Sequence, residues 1–396
     1  MISAEMTRLA HSNSAIRAMF EEGNRLASIY GRDKVYDFSL GNPNFPAPAQ
    51  VKDAILDVLN EEESTFVHGY MPNSGYPDVC QAIADSLNRR FGTDFTGGNI
   101  LMTVGAAGGL NVILKTLLNP GDQVLVFAPY FLEYGNYVRN YGGELSVVPP
   151  NLPTFQPNLE KFEQMLTPAT KAVIINTPNN PTGVIYSEQT LEKLGEILER
   201  KQAEFGTSIY VLSDEPYREL AYDGAQVPYV TKYYRNTIVG YSWSKSLSLP
   251  GERIGYLVIP SEIDEYRLVF DAAAISNRVL GFVNAPSLMQ RVVKRCVDCT
   301  TDIGPYDANR RALYDGLTAC GFECVFPQGA FYMWMKTPVD DKVFVEAAKA
   351  YNILIVPGTS FACPGYVRIA YCVAPQTITN SLDGFKKLAE KYGLTK

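Results

Sequence analysis

Short apolar runs alternate with longer, partly polar segments through the middle of the chain. The runs cover 123–127, 172–175, 208–212 and 237–241, and each contains valine or isoleucine. Apolar runs of this length, separated by helix-length segments, are typical of strands buried on both faces of a parallel sheet. The pattern predicts an α/β fold, in which ligands bind beyond the carboxyl ends of the strands.

Helical patterns lie between these runs, and the pattern changes near the C-terminus. The predicted helices are Pro77–Phe91, with proline in the first turn, 107–118 and 188–202. Two later segments, 329–332 and 353–356, have the pattern of strands, and a helix is expected near 381–392. This part of the chain predicts a smaller α+β unit.

Composition excludes several classes of function. The chain has 396 residues and a net charge of −7, and no run of lysine or arginine, which argues against binding to nucleic acid. No stretch approaches the roughly 18 consecutive apolar residues of a membrane span, and the first twenty residues have no apolar core typical of a signal peptide. Seven cysteines, an odd number, favour reduced thiols in a cytoplasm. The two histidines, His11 and His68, lie in no recognisable nucleophile or metal motif.

The first chemical motif is Ser242-Trp243-Ser244-Lys245, which follows a predicted buried strand and precedes Arg253 by eight residues. A surface lysine is the simplest interpretation of such a motif taken alone. Burial of an ammonium group is costly, however, and desolvation together with a nearby cation would lower the pKa of Lys245 and make it a nucleophile. The hydroxyls and Arg253 are donors suited to a phosphate.

A second motif, from Ser213 to Tyr217, follows the run at 208–212. Asp214 is either a helix cap or a buried counter-charge that keeps a pyridine nitrogen protonated. Tyr217 can donate a hydrogen bond to a hydroxyl oxygen on the same pyridine ring. Asn180, in an Asn-Pro-Thr-Gly turn, can reach the same oxygen.

Two further features suit anions. Gly105 to Gly109 are small residues before a helical pattern, and bare amide groups at a helix N-terminus attract phosphate. Arg368 lies inside an apolar, strand-like pattern, where it either forms a structural ion pair or holds a carboxylate through two parallel hydrogen bonds.

Together these motifs resemble the class I/II aminotransferases that depend on pyridoxal phosphate and share fold type I. The resemblance extends from Gly41-Asn42-Pro43 to Arg368, and four motifs occur in the family's order: NPTG, SDEPY, SxSK with its arginine, and RIA. It implies a large domain with a mostly parallel seven-stranded sheet flanked by helices, and a smaller α+β domain. The expected divisions are an N-terminal segment, 1–45, that contributes to the small domain, a large domain, 46–283, and a small C-terminal domain, 284–396.

The resemblance also implies roles for individual residues. Lys245 would form a Schiff base with pyridoxal phosphate and move a proton, Asp214 would pair with the ring nitrogen, and Tyr217 would contact the ring hydroxyl. The expected cofactor-binding residues are Ala106, Ala107, Phe131, Asn180, Asp214, Tyr217, Ser242, Ser244, Lys245, Arg253 and Tyr70. The expected substrate-binding residues are Gly41, Asn180, Arg368 and Arg278. Tyr70 resembles a tyrosine that reaches the phosphate of the neighbouring subunit, which implies a homodimer with shared active sites.

The substrate is less well defined. Some aspartate-specific members carry a lysine where this chain has Ala107, whereas other dicarboxylate enzymes use an arginine of the partner subunit about 34 residues after the Schiff-base lysine. Arg278 lies 33 residues after Lys245 and is either that arginine or a solvated helix residue. Aspartate with 2-oxoglutarate is the expected pair, and an aromatic or broad-specificity aminotransferase is the alternative.

Three other interpretations remain. A C–S β-lyase would use Lys245, Asp214 and Arg368 as well, and would release pyruvate without an acceptor. A non-catalytic regulator on the same fold would carry an added DNA-binding segment, for which the residues before Gly41 are too few. Cys296 and Cys299, with two later cysteines, have a spacing loosely suited to zinc, but the segment 284–299 has the pattern of an amphipathic helix. We therefore expect no metal.

Overall fold

The computed structural model describes residues 2–11 and 15–394. Its α-helices are α1 (Ala4–His11), α2 (Ala15–Tyr30), α3 (Ala49–Glu61), α4 (Ser64–Val67), α5 (Pro77–Phe91), α6 (Gly105–Leu117), α7 (Glu133–Arg139), α8 (Leu159–Met165), α9 (Glu188–Phe205), α10 (Trp243–Ser246), α11 (Tyr266–Val279), α12 (Ser287–Arg295), α13 (Gly304–Ala319), α14 (Asp341–Lys349) and α15 (Pro375–Lys391). Short 3₁₀ helices are Arg32–Lys34, Gly97–Asn99, Val230–Lys232, Pro250–Glu252 and Gly358–Phe361.

The strands form three sheets. They are β1 (Tyr36–Asp37), β2 (Ile100–Thr103), β3 (Gln123–Phe127), β4 (Glu144–Val148), β5 (Thr170–Asn176), β6 (Tyr210–Asp214), β7 (Thr237–Ser242), β8 (Gly255–Val258), β9 (Cys324–Val325), β10 (Tyr332–Lys336), β11 (Ile353–Leu354), β12 (Val356–Pro357) and β13 (Tyr366–Ala370). The largest sheet has seven strands in the order β2-β8-β7-β6-β5-β3-β4, and only β8 runs antiparallel to its neighbours. The expected mostly parallel seven-stranded sheet is confirmed.

Both faces of this sheet are covered, which explains the continuous apolar runs. Val124 and Val126 of β3 belong to one hydrophobic cluster, which includes side chains of α6 and α11. Leu125 and Phe127 belong to another on the opposite face, which includes side chains of α8 and α9. Alternate residues of a strand point to opposite faces, so a strand between two helical layers is apolar at every position.

A second, smaller group of strands lies beside the large sheet. Strands β12, β13, β10 and β9 form an antiparallel sheet. The N-terminal strand β1 pairs with β11, so the segment before α3 is joined to the C-terminal part of the chain. Helix α12 contributes Met289, Val292 and Val293 to the hydrophobic cluster of α3 and α5. The domain boundaries at 45/46 and 283/284 stay a prediction.

The predicted elements lie at or near the expected positions, although several bounds differ by two or more residues and the strand expected over 353–356 is divided into β11 and β12. Two of the differences have local causes. The helix expected over 284–299 spans only Ser287–Arg295. Pro286 disfavours a helical backbone at the residue before it, and Cys296 at the other end has a non-helical backbone. The strand expected over 329–332 begins only at Tyr332, since Ala330 has a left-handed φ of 58°. Within the described residues, no helix combines the length and apolar character needed to cross a membrane.

Candidate active site

Three neighbouring parallel strands end in polar residues at one cavity. Asn176 ends β5, Asp214 ends β6 and Ser242 ends β7, and Asn176 is paired with Asp214 across the sheet. All three line a cavity of about 310 Å³. The carboxyl ends of adjacent parallel strands lie on the same edge of a sheet, and this is the edge where the strand pattern predicts a ligand.

The structure brings most of the candidate residues to this cavity. Those in its lining are Gly41, Ala106, Ala107, Phe131, Asn180, Asp214, Tyr217, Ser242, Ser244, Lys245, Arg253 and Arg368. Two candidates lie elsewhere on the surface of the chain: the side chain of Tyr70 is 92% exposed, and Arg278 is exposed in the last turn of α11. The structure does not place these two residues at the cavity.

Lys245 is the only lysine in the cavity lining of the described chain. It lies in the short helix α10, directly after β7, and its Nζ donates a hydrogen bond to the carbonyl oxygen of Gly41 at 2.7 Å. Burial lowers the pKa of Lys245 to about 8, and the cations Arg368 and Arg253 also act to lower it. Roughly a tenth of this amine is therefore neutral, and nucleophilic, at pH 7, far more than for an ordinary lysine.

Asp214 is a buried carboxylate with one oxygen left without a partner. Its Oδ2 accepts a hydrogen bond from the hydroxyl of Tyr134 at 2.5 Å, whereas its Oδ1 is buried and has no hydrogen-bond partner in the described structure. Burial raises the pKa of Asp214 to about 7, although the bond from Tyr134 opposes the rise. A cationic donor in the cavity would satisfy the free oxygen and return the pKa toward its usual range.

The neighbouring acid, Glu215, has a structural role. It forms a buried ion pair with Arg218 at 2.6 Å and accepts a hydrogen bond from Ser213 at 2.7 Å. The guanidinium of Arg218 also lies over the ring of Tyr241, 4.8 Å from its centroid. Of the two adjacent acids in the SDEPY motif, only Asp214 lines the cavity.

At another part of the lining, the chain forms a cradle for an anion. Gly105 has a left-handed φ of 69°, and a Cβ atom there would lie 2.8 Å from Nη2 of Arg253, so only glycine allows this guanidinium to pack against the start of α6. Ser242 donates a hydrogen bond to Ser244 at 3.2 Å. The amides at the start of α6, the two hydroxyls and Arg253 are together suited to a phosphate.

Arg368 lies in β13 and is buried, with 2% of its surface exposed. Its Nη1 donates to Oδ1 of Asn180 at 3.1 Å and its Nη2 to the carbonyl oxygen of Ser39 at 2.5 Å. Its Nε is buried without a hydrogen-bond partner in the described structure. No carboxylate is bonded to it there, so the structural ion pair that the sequence left open does not form, and the guanidinium remains suited to a substrate carboxylate.

Tyrosines make contributions that the sequence motifs did not indicate. Tyr134, in α7, holds Asp214, and its only local signal is its position three residues after Phe131, whose ring it meets edge to face at 5.6 Å between centroids. Tyr332, at the start of β10, has its hydroxyl 2.8 Å from that of Tyr217. The sequence pattern predicts only a strand at Tyr332, and no local pattern indicates its contact with the Tyr217 hydroxyl.

The four cysteines whose spacing loosely suits zinc lie in two separate places. Cys296 and Cys299 pack with the cluster of α3 and α5, whereas Cys320 and Cys324 pack with the core of the smaller sheet. All seven cysteines are free. Across residues 2–11 and 15–394, no group of three or more histidine, cysteine, aspartate or glutamate side chains is arranged to hold a metal ion.

Comparison with known proteins agrees with the fold and the motifs. The family model "Aminotransferase class I and II" matches residues 33–385. The probable aspartate/prephenate aminotransferase of Thermus aquaticus is 33% identical over 87% of this chain and 89% of its own length. The aspartate/prephenate aminotransferase of Thermus thermophilus is 30% identical, over 88% of this chain and 89% of its own length.

Solved structures have the same architecture over nearly the whole length. An amino transferase from Eubacterium rectale superposes with a TM-score of 0.97 at 44% identity and covers 99% of both chains. The aspartate aminotransferase of Thermus thermophilus with maleate superposes with a TM-score of 0.85 at 28% identity, and covers 98% of this chain and 100% of its own. The chain is thus an aminotransferase of fold type I and belongs to the class I and II aminotransferase family.

Proposed function

We propose that this aminotransferase binds pyridoxal phosphate covalently at Lys245 and transfers the amino group of L-aspartate to 2-oxoglutarate. The two half-reactions would take place in turn at one site. The family uses pyridoxal phosphate, and when bound this cofactor supplies an electron sink for the negative charge that develops at the substrate Cα.

One observation carries the assignment of the cofactor. Oδ1 of Asp214 is buried and without a partner in the described structure, in the lining of the same cavity as a lysine whose pKa is lowered to about 8. An unpaired buried carboxylate oxygen is costly in a folded protein. The protonated pyridine nitrogen of pyridoxal phosphate is a cationic donor for the Asp214 oxygen, and the aldehyde of the same cofactor reacts with a neutral amine such as that of Lys245. The unpaired carboxylate oxygen and the lowered lysine pKa therefore support the same ligand.

The other residues that line the cavity have separate proposed roles. With the cofactor bound, Nζ of Lys245 would act as the base that takes the proton from the substrate Cα and as the acid that returns it. Tyr217 and Asn180 donate to the ring oxygen. Arg368 binds the α-carboxylate of the substrate with its planar fork, beside the Gly41 backbone.

Six other residues would hold the parts of the cofactor that are distant from the reacting carbon. The cradle of Arg253, Ser242, Ser244 and the amides of Ala106 and Ala107 holds the phosphate. Phe131 provides an aromatic surface for the ring to stack on.

Aspartate is favoured by the names of the relatives, but the cavity itself contains no fourth cation. Its basic residues in the described chain are Lys245, Arg253 and Arg368, and each already has a role. Arg278 of a partner subunit would supply the charge for a side-chain carboxylate. Without it, Leu110 and Tyr137, which also line the cavity, favour aromatic or broad specificity as the second candidate.

A homodimer is part of this proposal, because Tyr70 and Arg278 lie outside the cavity of their own chain and are proposed to act in the site of a partner. An exposed apolar stripe supports it: Leu268, Ile275 and Val279 lie on one face of α11 and are 64%, 52% and 61% exposed. Exposed apolar side chains that repeat along one helix face commonly mark an interface. We also propose that the enzyme works in the cytoplasm, since its seven cysteines are free thiols.

The test is a spectroscopic half-reaction. The purified protein is loaded with pyridoxal phosphate, and its visible absorption is followed as L-aspartate, L-glutamate, L-alanine, L-tyrosine and L-cysteine are added in turn. We expect aspartate to convert the cofactor to its amine form, and 2-oxoglutarate to restore the original spectrum. A faster response to tyrosine would favour the second candidate, and pyruvate formed from cysteine without an acceptor would indicate elimination instead.

Arg278→Ala separates the two candidates for the donor. If the partner's Arg278 binds a side-chain carboxylate, this variant should lose roughly ten- to a hundredfold in kcat/KM for aspartate and little for tyrosine, because a hydrogen-bonded charge pair contributes about 1.5–3 kcal/mol. Arg267→Ala, on the same helix, is the matched control. Equal losses for both substrates would remove Arg278 from substrate recognition.

A further inference from the structure

Tyr332 lies between the residue proposed to bind the substrate carboxylate and one proposed to bind the cofactor ring. In the antiparallel pair of β10 and β13, Tyr332 is opposite Ala370, and Arg368 is two residues away on the same face. The guanidinium of Arg368 lies over the Tyr332 ring, 4.6 Å from its centroid. On the other side, the Tyr332 hydroxyl is 2.8 Å from the Tyr217 hydroxyl.

The position of Tyr332 is closely constrained. Its side chain is 2% exposed and lines the cavity, and its ring meets that of Tyr217 edge to face with centroids 5.7 Å apart. A Cβ atom at Gly41 would lie 2.0 Å from the Tyr332 hydroxyl oxygen. Only glycine at this position leaves room for the hydroxyl, while the Gly41 carbonyl accepts the hydrogen bond of Lys245.

The direction of the bond between the two tyrosines follows from counting protons. Each phenol has one hydrogen to donate. If Tyr217 donates to the ring oxygen of the cofactor, its own oxygen must accept from Tyr332. Tyr217 is the only hydrogen-bond partner of the Tyr332 hydroxyl among the described residues. The Arg368 cation on the Tyr332 ring makes this phenol the better donor of the pair, since positive charge favours release of a proton.

We infer that Tyr332 is a positioning residue that directs and strengthens the hydrogen bond from Tyr217 to the cofactor, and links that bond to Arg368. The inference rests on the proposed function, because it requires pyridoxal phosphate at Lys245. Hydrogen bonds in a chain polarise one another, each strengthening the next by about 10–30%. Tyr332 therefore acts through Tyr217, and its hydroxyl has no effect once the Tyr217 hydroxyl is removed.

The experiment is a pH titration of the visible absorption of the loaded protein, which reports the pKa of the nitrogen that joins Lys245 to the cofactor. Donation to the ring oxygen lowers this pKa. We expect Tyr217→Phe to raise it by about 1–2 units, the size of a hydrogen bond to a charged group, and Tyr332→Phe to raise it by about 0.3 units. The double variant should have the pKa of Tyr217→Phe alone.

Tyr222→Phe is the matched control. Tyr222 is buried, and its hydroxyl donates a hydrogen bond to the carbonyl oxygen of Ala330 at 2.6 Å outside the cavity. The Tyr222→Phe variant therefore tests the general effect of removing one buried tyrosine hydroxyl. This variant should leave the spectroscopic pKa unchanged. Thermal unfolding of each loaded variant verifies that the fold is retained.

The outcomes separate the inference from the proposed function. An unchanged or lowered pKa in Tyr332→Phe, or additive shifts in the double variant, would overturn the role of Tyr332 while the cofactor site stands. If the wild-type protein has no absorption band that depends on Lys245, the proposed function fails and the inference fails with it. If Tyr332→Phe does not fold, 3-fluorotyrosine is introduced at residue 332 instead. Its more acidic phenol should lower the spectroscopic pKa below that of the wild type, and an unchanged or raised pKa would overturn the role of Tyr332.

Discussion

Asp214 makes the protein without cofactor sensitive to pH, and Asp214→Asn should remove that sensitivity. Burial raises the pKa of Asp214 from 3.8 to about 7. A carboxyl group whose pKa is raised on folding does not destabilise the protein below pH 3.8, but it lowers the stability progressively as the pH rises from 3.8 to about 7. The variant carries no charge at any of these pH values and keeps nearly the same shape.

The expected magnitude follows from the two pKa values. Each pH unit between 3.8 and about 7 is worth about 1.4 kcal/mol, so the raised pKa of Asp214 lowers the free energy of unfolding by about 4 kcal/mol at pH 8 and about 2 kcal/mol at pH 5, relative to its value below pH 3.8. Asp214→Asn should therefore be more stable than the wild type without cofactor, and its advantage should grow by about 2 kcal/mol between these two pH values.

Urea unfolding of the cofactor-free proteins at pH 5 and pH 8 measures this difference. The control is Asp94→Asn, a surface carboxylate whose replacement should not change the pH dependence. Addition of pyridoxal phosphate at pH 8 should stabilise the wild type more than Asp214→Asn, since only the wild type offers an anion to the ring nitrogen. An advantage of the variant that is the same at both pH values would refute the account of Asp214.

Three further predictions test the neighbouring groups. Covalent attachment of pyridoxal phosphate to the cofactor-free protein should accelerate up to about pH 8 and then level off, because burial lowers the pKa of Lys245 to about 8; stopped-flow absorbance measures the rate, and a rise that continues to pH 10 would contradict it. Arg368→Lys should weaken saturation by amino acid about ten- to a hundredfold in half-reaction titrations, because the two-pronged contact is lost; an unchanged KM would contradict it. Tyr134→Phe should bind pyridoxal phosphate about tenfold more weakly by equilibrium titration, since a hydrogen bond that orients Asp214 is removed; unchanged affinity would contradict it.

Much of the fold could be predicted from the sequence because each element carries its own signal. Strand β5 is nearly all buried, so its apolar run is continuous. Helix α5 begins at Pro77 and ends before Gly92, which has a left-handed φ of 64°, and the expected bounds are those observed. The motifs around Asp214 and Lys245 follow strands directly, and parallel strands bring their ends together.

The rest of the site depends on contacts between distant parts of the chain. Tyr134 and Asp214 are 80 residues apart, and Tyr217 and Tyr332 are 115 residues apart. Only the packing of α7 on the large sheet, and of β10 beside it, brings these hydroxyls into place. For Arg278, neither the sequence nor one copy of the chain identifies a target, because its side chain is exposed and lies outside the cavity lining.

The most direct test of the central claim is to identify the lysine that holds the cofactor. The loaded protein is reduced with borohydride, digested and analysed by mass spectrometry, beside Lys245→Arg as the control. We expect a pyridoxyl group on Lys245 alone in the wild type and no pyridoxyl group in Lys245→Arg. A pyridoxyl group on another lysine, or equal labelling of the variant, would contradict it.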